Sequence, residues 1–411
     1  MNEEKREEEI NSSKEEKICP RIDKKDLILS LAVILLSGCV LSGAIPSAWV
    51  GLASAALIVY TVIAIKNVGA IVQILLVFAT VMTFLPIVGT AVLALTLGAG
   101  VLAWLFMILP KCKWAPVLLL ATAYGLGFLV TSNPVSPLLS FAFLPIAALM
   151  AWAHARDLGR TQTVLHALLG AILSILTVLC VILWRKYGSI NYDVLMRFVS
   201  DLKALFVTIG TEVGKMLWES VEIAAAQTTL PAESMQKLQE MYAEVFGESN
   251  LRATADLTMG LAPAIITVPA IIISYLANVV LLRKYYNTEW RSLMTPASCS
   301  LTIGPATGVI YFVCFLIFMF ANKTTVFTLA ITNMCFILMP GLCLTGVNVI
   351  LLNARRARGW RGVAHILLLV AAVCCLGVTS IYFVALWGAY AAISVALHQS
   401  IIQKMKDQDP K

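Results

Sequence analysis

The feature that most limits the fold of this chain is a series of long apolar runs without charge. Residues 27–44, 49–65, 69–86, 89–109, 115–131, 136–153, 162–184, 260–282, 304–321, 326–352 and 363–397 hold no Asp, Glu, Lys or Arg away from their edges. A helix needs about 20 apolar residues to cross the roughly 30 Å hydrocarbon layer of a bilayer. Lipid offers no hydrogen bonds, so a spanning segment must satisfy its own backbone, as a helix or within a closed barrel. Barrel strands are about 9–11 residues long and alternate in polarity. These runs are longer and do not alternate. The expected fold is therefore all-α, a polytopic transmembrane helix bundle of 10–12 spans. The run 363–397 is too long for one perpendicular helix, so it is either tilted with an interfacial end or built of two short pieces.

Composition agrees. Hydrophobic residues are 60% of the chain and charged residues 13%, against about 25% charged in a soluble domain. The net charge of +7 is unevenly spread. Residues 1–26 hold 7 basic and 9 acidic groups, and residues 188–258 hold 5 and 10. The remainder holds 18 basic and 4 acidic groups, placed mainly in short loops. A basic excess in short loops orients a membrane protein, because Lys and Arg resist translocation. It does not point to nucleic acid.

With the N-terminus in the cytoplasm, the inner loops carry Lys66; Lys111 and Lys113; Arg156 and Arg160; Arg283, Lys284 and Arg291; and Arg355, Arg356, Arg358 and Arg361. The opposite loops near Pro46, Gly89 and Asn133 carry none, and the loop at 322–325 carries only Lys323. Arg185 and Lys186 depart from the pattern. The expected organisation is a charged cytoplasmic tail without fixed structure (1–26), an N-terminal bundle (27–184), an extracytoplasmic segment (185–259), a C-terminal bundle (260–397) and a polar tail (398–411). The expected location is the cell (plasma) membrane.

The extracytoplasmic segment reads as two amphipathic helices. Leu195, Val199, Leu202, Phe206, Ile209, Val213, Met216 and Val221 recur every three to five positions, which makes one helix face apolar. A break follows at Thr228–Pro231. A second stripe of Met235, Leu238, Met241, Tyr242, Val245 and Phe246 then ends at Gly247. Two uses are open: a hairpin packed on the bundle or lying at the interface, or a lid or docking surface for an extracytoplasmic partner.

Small residues four apart, at Gly51/Ala55, Ala94/Gly98, Ala99/Ala103, Ala121/Gly125 and Gly304/Gly308, allow close helix approach. Leu36–Cys39 reads Leu-Ser-Gly-Cys, like a lipoprotein cleavage box, but the preceding charged tail and the apolar continuation favour an uncleaved first span.

Catalytic chemistry is hard to find. Ten cysteines include no CxxC, and the four histidines (His154, His166, His365 and His398) form no cluster with them. There is no P-loop and no nucleophile elbow. We expect no enzyme, no cofactor and no metal. The candidate residues are polar groups inside spans: Ser274, Tyr275 and Asn278 on one helix after breaks expected at Pro263 and Pro269, and Asn333 and Asn348 either side of Pro340–Gly341. Either they line a solute site at a helix interrupted by the Pro–Gly pair, or they bind helices together.

Three stretches resemble the YybS-like family of uncharacterised bacterial membrane proteins. They are FLPIAALMAWAHAR at 143–156 before the span 162–184, GLAPA at 260–264 before a span closing on LLRK at 281–284, and the basic NARRARGWR loop at 353–361 between the last spans. The charged tail and the extra early spans depart from that pattern. The likeness implies that the N-terminal half is similar to the substrate-binding components of energy-coupling-factor transporters, which bind small solutes and borrow an ATPase. The expected function is transport-related solute binding within the helices. The other reading is a structural or regulatory envelope or sporulation protein that recruits a partner through 188–258. The lipid bilayer is the partner common to both.

Overall fold

A computed structural model describes residues 24–45, 47–65, 86–109, 114–158, 160–228, 232–286, 304–321, 325–356 and 380–407. The elements are α1 (Lys24–Leu41), α2 (Ser47–Ile65), α3 (Pro86–Ile108), α4 (Trp114–Thr131), a 3-10 helix (Ser136–Ala142), α5 (Phe143–Ala155) and α6 (Arg160–Tyr187). Then come α7 (Tyr192–Thr228), α8 (Ala232–Phe246), α9 (Glu248–Gly260), α10 (Ala262–Tyr286), α11 (Pro305–Phe320), α12 (Val326–Arg356) and α13 (Ser380–Asp407). No strand occurs among the described residues. The protein is an all-α polytopic helix bundle.

Among the described residues, six helical stretches are long and apolar enough to cross a bilayer: Thr90–Ile108, Trp114–Thr131, Ser136–Ala155, Gln162–Tyr187, Ala262–Leu282 and Val326–Val347. Four shorter apolar helices, Leu27–Leu41, Gly51–Tyr60, Pro305–Phe320 and Ile381–Ser394, coincide with further expected runs. The run 69–86 lies outside the described residues, apart from Pro86. So do residues 1–23, 363–379, Lys66, Lys111, Lys113, Arg291, Lys323, Arg358, Arg361 and His365.

The chain divides into two compact units, one of residues 1–174 with 273–298, the other of 175–272 with 299–411. In the first, α1 packs on α3, α4 and the 3-10 helix, and α3 packs on α5. Side-chain size decides how near these helices come. A Cβ on Gly38 would lie 2.9 Å from the Ala123 Cβ, and one on Gly98 would lie 2.7 Å from the Phe143 ring. Gly38 belongs to the Leu-Ser-Gly-Cys box, so close packing of α1 accounts for its glycine. A Cβ on Gly170 would lie 2.7 Å from the Pro145 carbonyl oxygen. Gly51 and Gly125, by contrast, have no atom within 4 Å of that position. Leu118, Leu129 and Trp114 on α4 stay exposed, as expected where lipid is the solvent.

The turn from α4 to the 3-10 helix is set by local chemistry. Asn133 Oδ1 accepts the Val135 N–H at 2.8 Å, and Thr131 Oγ1 donates to the Gly127 carbonyl at 2.8 Å. Asn-Pro at 133–134 favours this turn, and proline near the start of the 3-10 helix suits a first turn.

In the second unit, α12 packs most extensively on α13, and both contact α11. Gly346 and Gly388 make the α12–α13 crossing: a Cβ on Gly388 would collide with the Leu342 carbonyl, and one on Gly346 with the Val384 carbonyl. Tyr311, Cys314, Cys335, Leu342, Ala385 and Ala389 form the core there. Phe315, Phe318, Phe336 and Tyr382 extend it, with ring centroids 5.8–6.4 Å apart.

Three local expectations change. Pro340 does not interrupt its helix, since α12 runs unbroken from Val326 to Arg356. Pro269 likewise lies inside α10. Proline removes one N–H, and spanning helices tolerate that loss because neighbouring groups satisfy the released carbonyl. Third, the segment after α6 holds three helices, not two. Gly247 is extended (φ −60°, ψ 141°) and serves as the N-cap of α9. It ends one helix and starts another. The helix α13 also continues past 397 to Asp407.

Candidate functional site

Asn333 is buried on α12. Its Oδ1 accepts the Ala264 N–H at 3.0 Å, and its Nδ2 donates to the carbonyls of Gly260 (2.9 Å) and Leu329 (3.1 Å). Ala264 is the third residue of α10, where a helix has backbone N–H groups without an intrahelical acceptor. Both amide protons of Asn333 are engaged. The side chain therefore caps α10 and ties α9 and α12 to it, which is the binding-together role.

Asn278, on α10, is buried, and its Oδ1 faces His154 Nε2 of α5 at 3.2 Å. That contact assigns the proton to Nε2. Ser274, one turn earlier, is fully buried, while Tyr275 is half-buried. Asn348 lies on α12 and its side chain is outside the described residues. The proposed candidates thus separate: Ser274 and Asn278 belong to one unit and Asn333 to the other.

His154 escaped the sequence reading. It sits one residue beyond a charge-free run, where an interfacial histidine is the ordinary expectation. Its partner lies 124 residues away, beyond any local signal. His166 instead packs at a 43° tilt against Trp152, with ring centroids 5.1 Å apart, and its Nδ1 donates to the Gln162 carbonyl at 2.7 Å.

Two cations of the expected inner loops have packing roles. The Arg156 guanidinium lies 4.4 Å over the Trp152 ring. Lys284 Nζ donates to Ser30 Oγ at 2.9 Å and lies 5.0 Å from the Trp104 ring and 5.4 Å from the Tyr60 ring. One ammonium thus gathers α1, α2, α3 and α10. The helices α6, α10 and α12 include Arg160, Arg283, Arg355 and Arg356, whose side chains are outside the described residues.

The charged helices α7–α9 offer a different kind of site. α7 packs on α9 and α8 through small residues: a Cβ on Gly210 would lie 2.7 Å from Leu251 Cδ2, and one on Gly214 2.9 Å from the Phe246 ring. The Trp218 and Tyr242 rings pack at a 46° tilt with centroids 5.1 Å apart, and Lys203 pairs with Asp256 at 2.6 Å. That packed face is not the apolar stripe read from the sequence. Leu195, Ile209, Val213 and Met216 of that stripe are exposed, together with Leu205, Leu217 and Ile223. The carboxylates of Asp193, Asp201, Glu219 and Glu222 occupy a third face by helical periodicity.

The start of α7 is fastened electrostatically. Lys186 Nζ and the Tyr187 hydroxyl both donate to Asp201 Oδ2, at 2.6 and 2.7 Å. The Lys186 ammonium, then the Tyr187 hydroxyl, hold the Asp201 carboxyl below its ordinary range.

Among the described residues, no group of three or more His, Cys, Asp or Glu side chains is placed to hold a metal ion. The fold and its surfaces define an integral membrane protein in contact with lipid. No protein-family model matches this chain, and no curated protein or solved structure shows significant similarity to it.

Proposed function

We propose that this protein is a non-enzymatic component of the cell membrane, N-terminus cytoplasmic, that engages a protein partner through the extracytoplasmic helix α7. One observation carries the reading. Leu205, Ile209 and Met216 are 53%, 54% and 66% exposed on a helix rich in charge. A helix outside the hydrocarbon layer gains nothing by presenting such residues to water, and an uncovered apolar strip marks an interaction surface. The test is the native mass of the full-length chain in mild-detergent extracts. Replacing Leu205, Ile209 and Met216 together by Ser removes the partner and lowers that mass, with helicity unchanged. An unchanged mass refutes the reading.

A second reading, transport-related solute binding, is favoured by the buried Ser274–Asn278–His154 line in the unit that contains α2–α5. The likeness to the YybS-like family, itself a proposal, supports it. A screen of vitamins and precursors by thermal shift decides: a true ligand raises the melting point by mass action, and Asn278→Leu abolishes that rise. No shift with any solute sets this reading aside.

A further inference from the structure

Resting on the partner reading above, we propose that the occupant of the α7 strip is a second copy of this chain, paired with α7 side by side and in register as a two-helix coiled coil. The spacing of the strip carries the inference. Leu195, Val199, Leu202, Phe206, Ile209, Val213 and Met216 follow one another at alternating intervals of four and three, and Ser220 and Ile223 continue the same rhythm. That is an apolar repeat of 3.5 residues from 195 to 216, three heptads, with the polar Ser220 before Ile223 resumes the phase. An isolated straight helix turns every 3.6 residues, so a strict 3.5 repeat stays on one face only when helices supercoil about each other. Three to four heptads is the length at which such a pattern starts to point to a coiled coil. Lipid contact needs only an apolar arc and does not select this rhythm.

The faces fit the assignment. Gly210 faces Leu251 and Gly214 faces Phe246 within the chain, so α8 and α9 border the seam at Gly210 but do not cover Ile209, Val213 and Met216, which stay exposed. Across an identical parallel helix, Glu212 meets Leu217 and Glu219 meets Ala224 of the second copy, while Lys203, which would flank Phe198, is held by Asp256 of its own chain. No two carboxylates are brought together along the seam.

Single cysteines placed at Leu202, Ile209 and Met216 in the full-length chain test this with a short bismaleimide in native membranes. The chain's own cysteines all lie outside 188–258, so the unmodified protein supplies the background. Each of the three variants yields a species of twice the 44.6 kDa chain mass. Thr208→Cys, exposed on another face of the same helix turn, does not. Ile209→Lys with Val213→Lys converts the purified protein from dimer to monomer and leaves its helicity unchanged, since both positions are exposed. Crosslinking absent at all three positions, or confined to one, overturns the in-register seam. A monomeric purified chain whose membrane extract still holds a larger particle overturns the second copy and leaves the partner reading intact. A monomer in both preparations overturns both.

Discussion

Replacing Asn333 by Ala should weaken the protein at a predictable place. The substitution removes one acceptor for the Ala264 N–H and one donor to the Gly260 carbonyl, both on other helices. The bond to the Leu329 carbonyl is within α12 and that oxygen keeps its helical partner, so it adds little. Hydrogen bonds between spanning helices contribute about 0.6 kcal/mol on average and up to about 1.7 kcal/mol. Two of them give roughly 1–3 kcal/mol, at the upper end if the stranded N–H finds no water. Reversible unfolding in mixed micelles reads the total. Hydrogen exchange at the Ala264 amide reads its location. The reasoning predicts lower stability together with faster exchange in the first turn of α10 (Ala262–Tyr286). Unchanged stability with unchanged protection at Ala264 would refute the capping role. A loss of solute binding at full stability would return Asn333 to the list of ligand residues.

Three further outcomes follow from the geometry. Gly388→Ala drives a methyl group into the Leu342 carbonyl and should destabilise by about 1–3 kcal/mol, whereas Gly125→Ala, with open space around it, should be neutral or stabilising by up to about 1 kcal/mol in the same unfolding assay. A double-mutant cycle on His154→Ala and Asn278→Ala should return a coupling of about 0.6–1.7 kcal/mol across their 3.2 Å contact, and a zero coupling removes the pair from the account. The Asp201 carboxyl titrates lower folded than unfolded, so its contribution is present above the ordinary carboxylate pKa of about 3.9 and is lost as pH falls through the folded value. Exchange protection over 192–201 should therefore drop in acid, and Asp201→Asn should show the low-pH behaviour at neutral pH.

Much of the bundle was legible because lipid leaves a chain few options. The runs 115–131 and 304–321 became α4 (Trp114–Thr131) and α11 (Pro305–Phe320) almost to the residue, since a charge-free apolar run specifies a helix, although of the two only α4 is long enough to cross a bilayer. The segment 188–258 was legible as amphipathic helices but not in its packing. Its apolar stripe was visible, while the face that packs is marked by Gly210 and Gly214, whose lack of side chains carries no hydrophobic signal. The helix α9 (Glu248–Gly260) buries only Leu251 and Ala255, too few for a recognisable period. For the polar candidates, sequence supplied the residues and not their roles. Asn333 and Asn278 look alike in an apolar run, and only partners 69 and 124 residues away distinguish a backbone cap from a histidine pair. Pro340 misled because a helix breaker in water is a tolerated residue in a lipid-embedded helix.

The central claim is that the exposed strip of α7 (Tyr192–Thr228) is covered by another protein chain in the living membrane. A photoreactive residue moved along positions 195–217 of the full-length protein in intact cells measures this directly. The account predicts protein adducts at 195, 202, 209 and 216 and none at 197, 208 and 215, a pattern repeating every seven residues. Adducts to lipid alone, or protein adducts without that repeat, would contradict it.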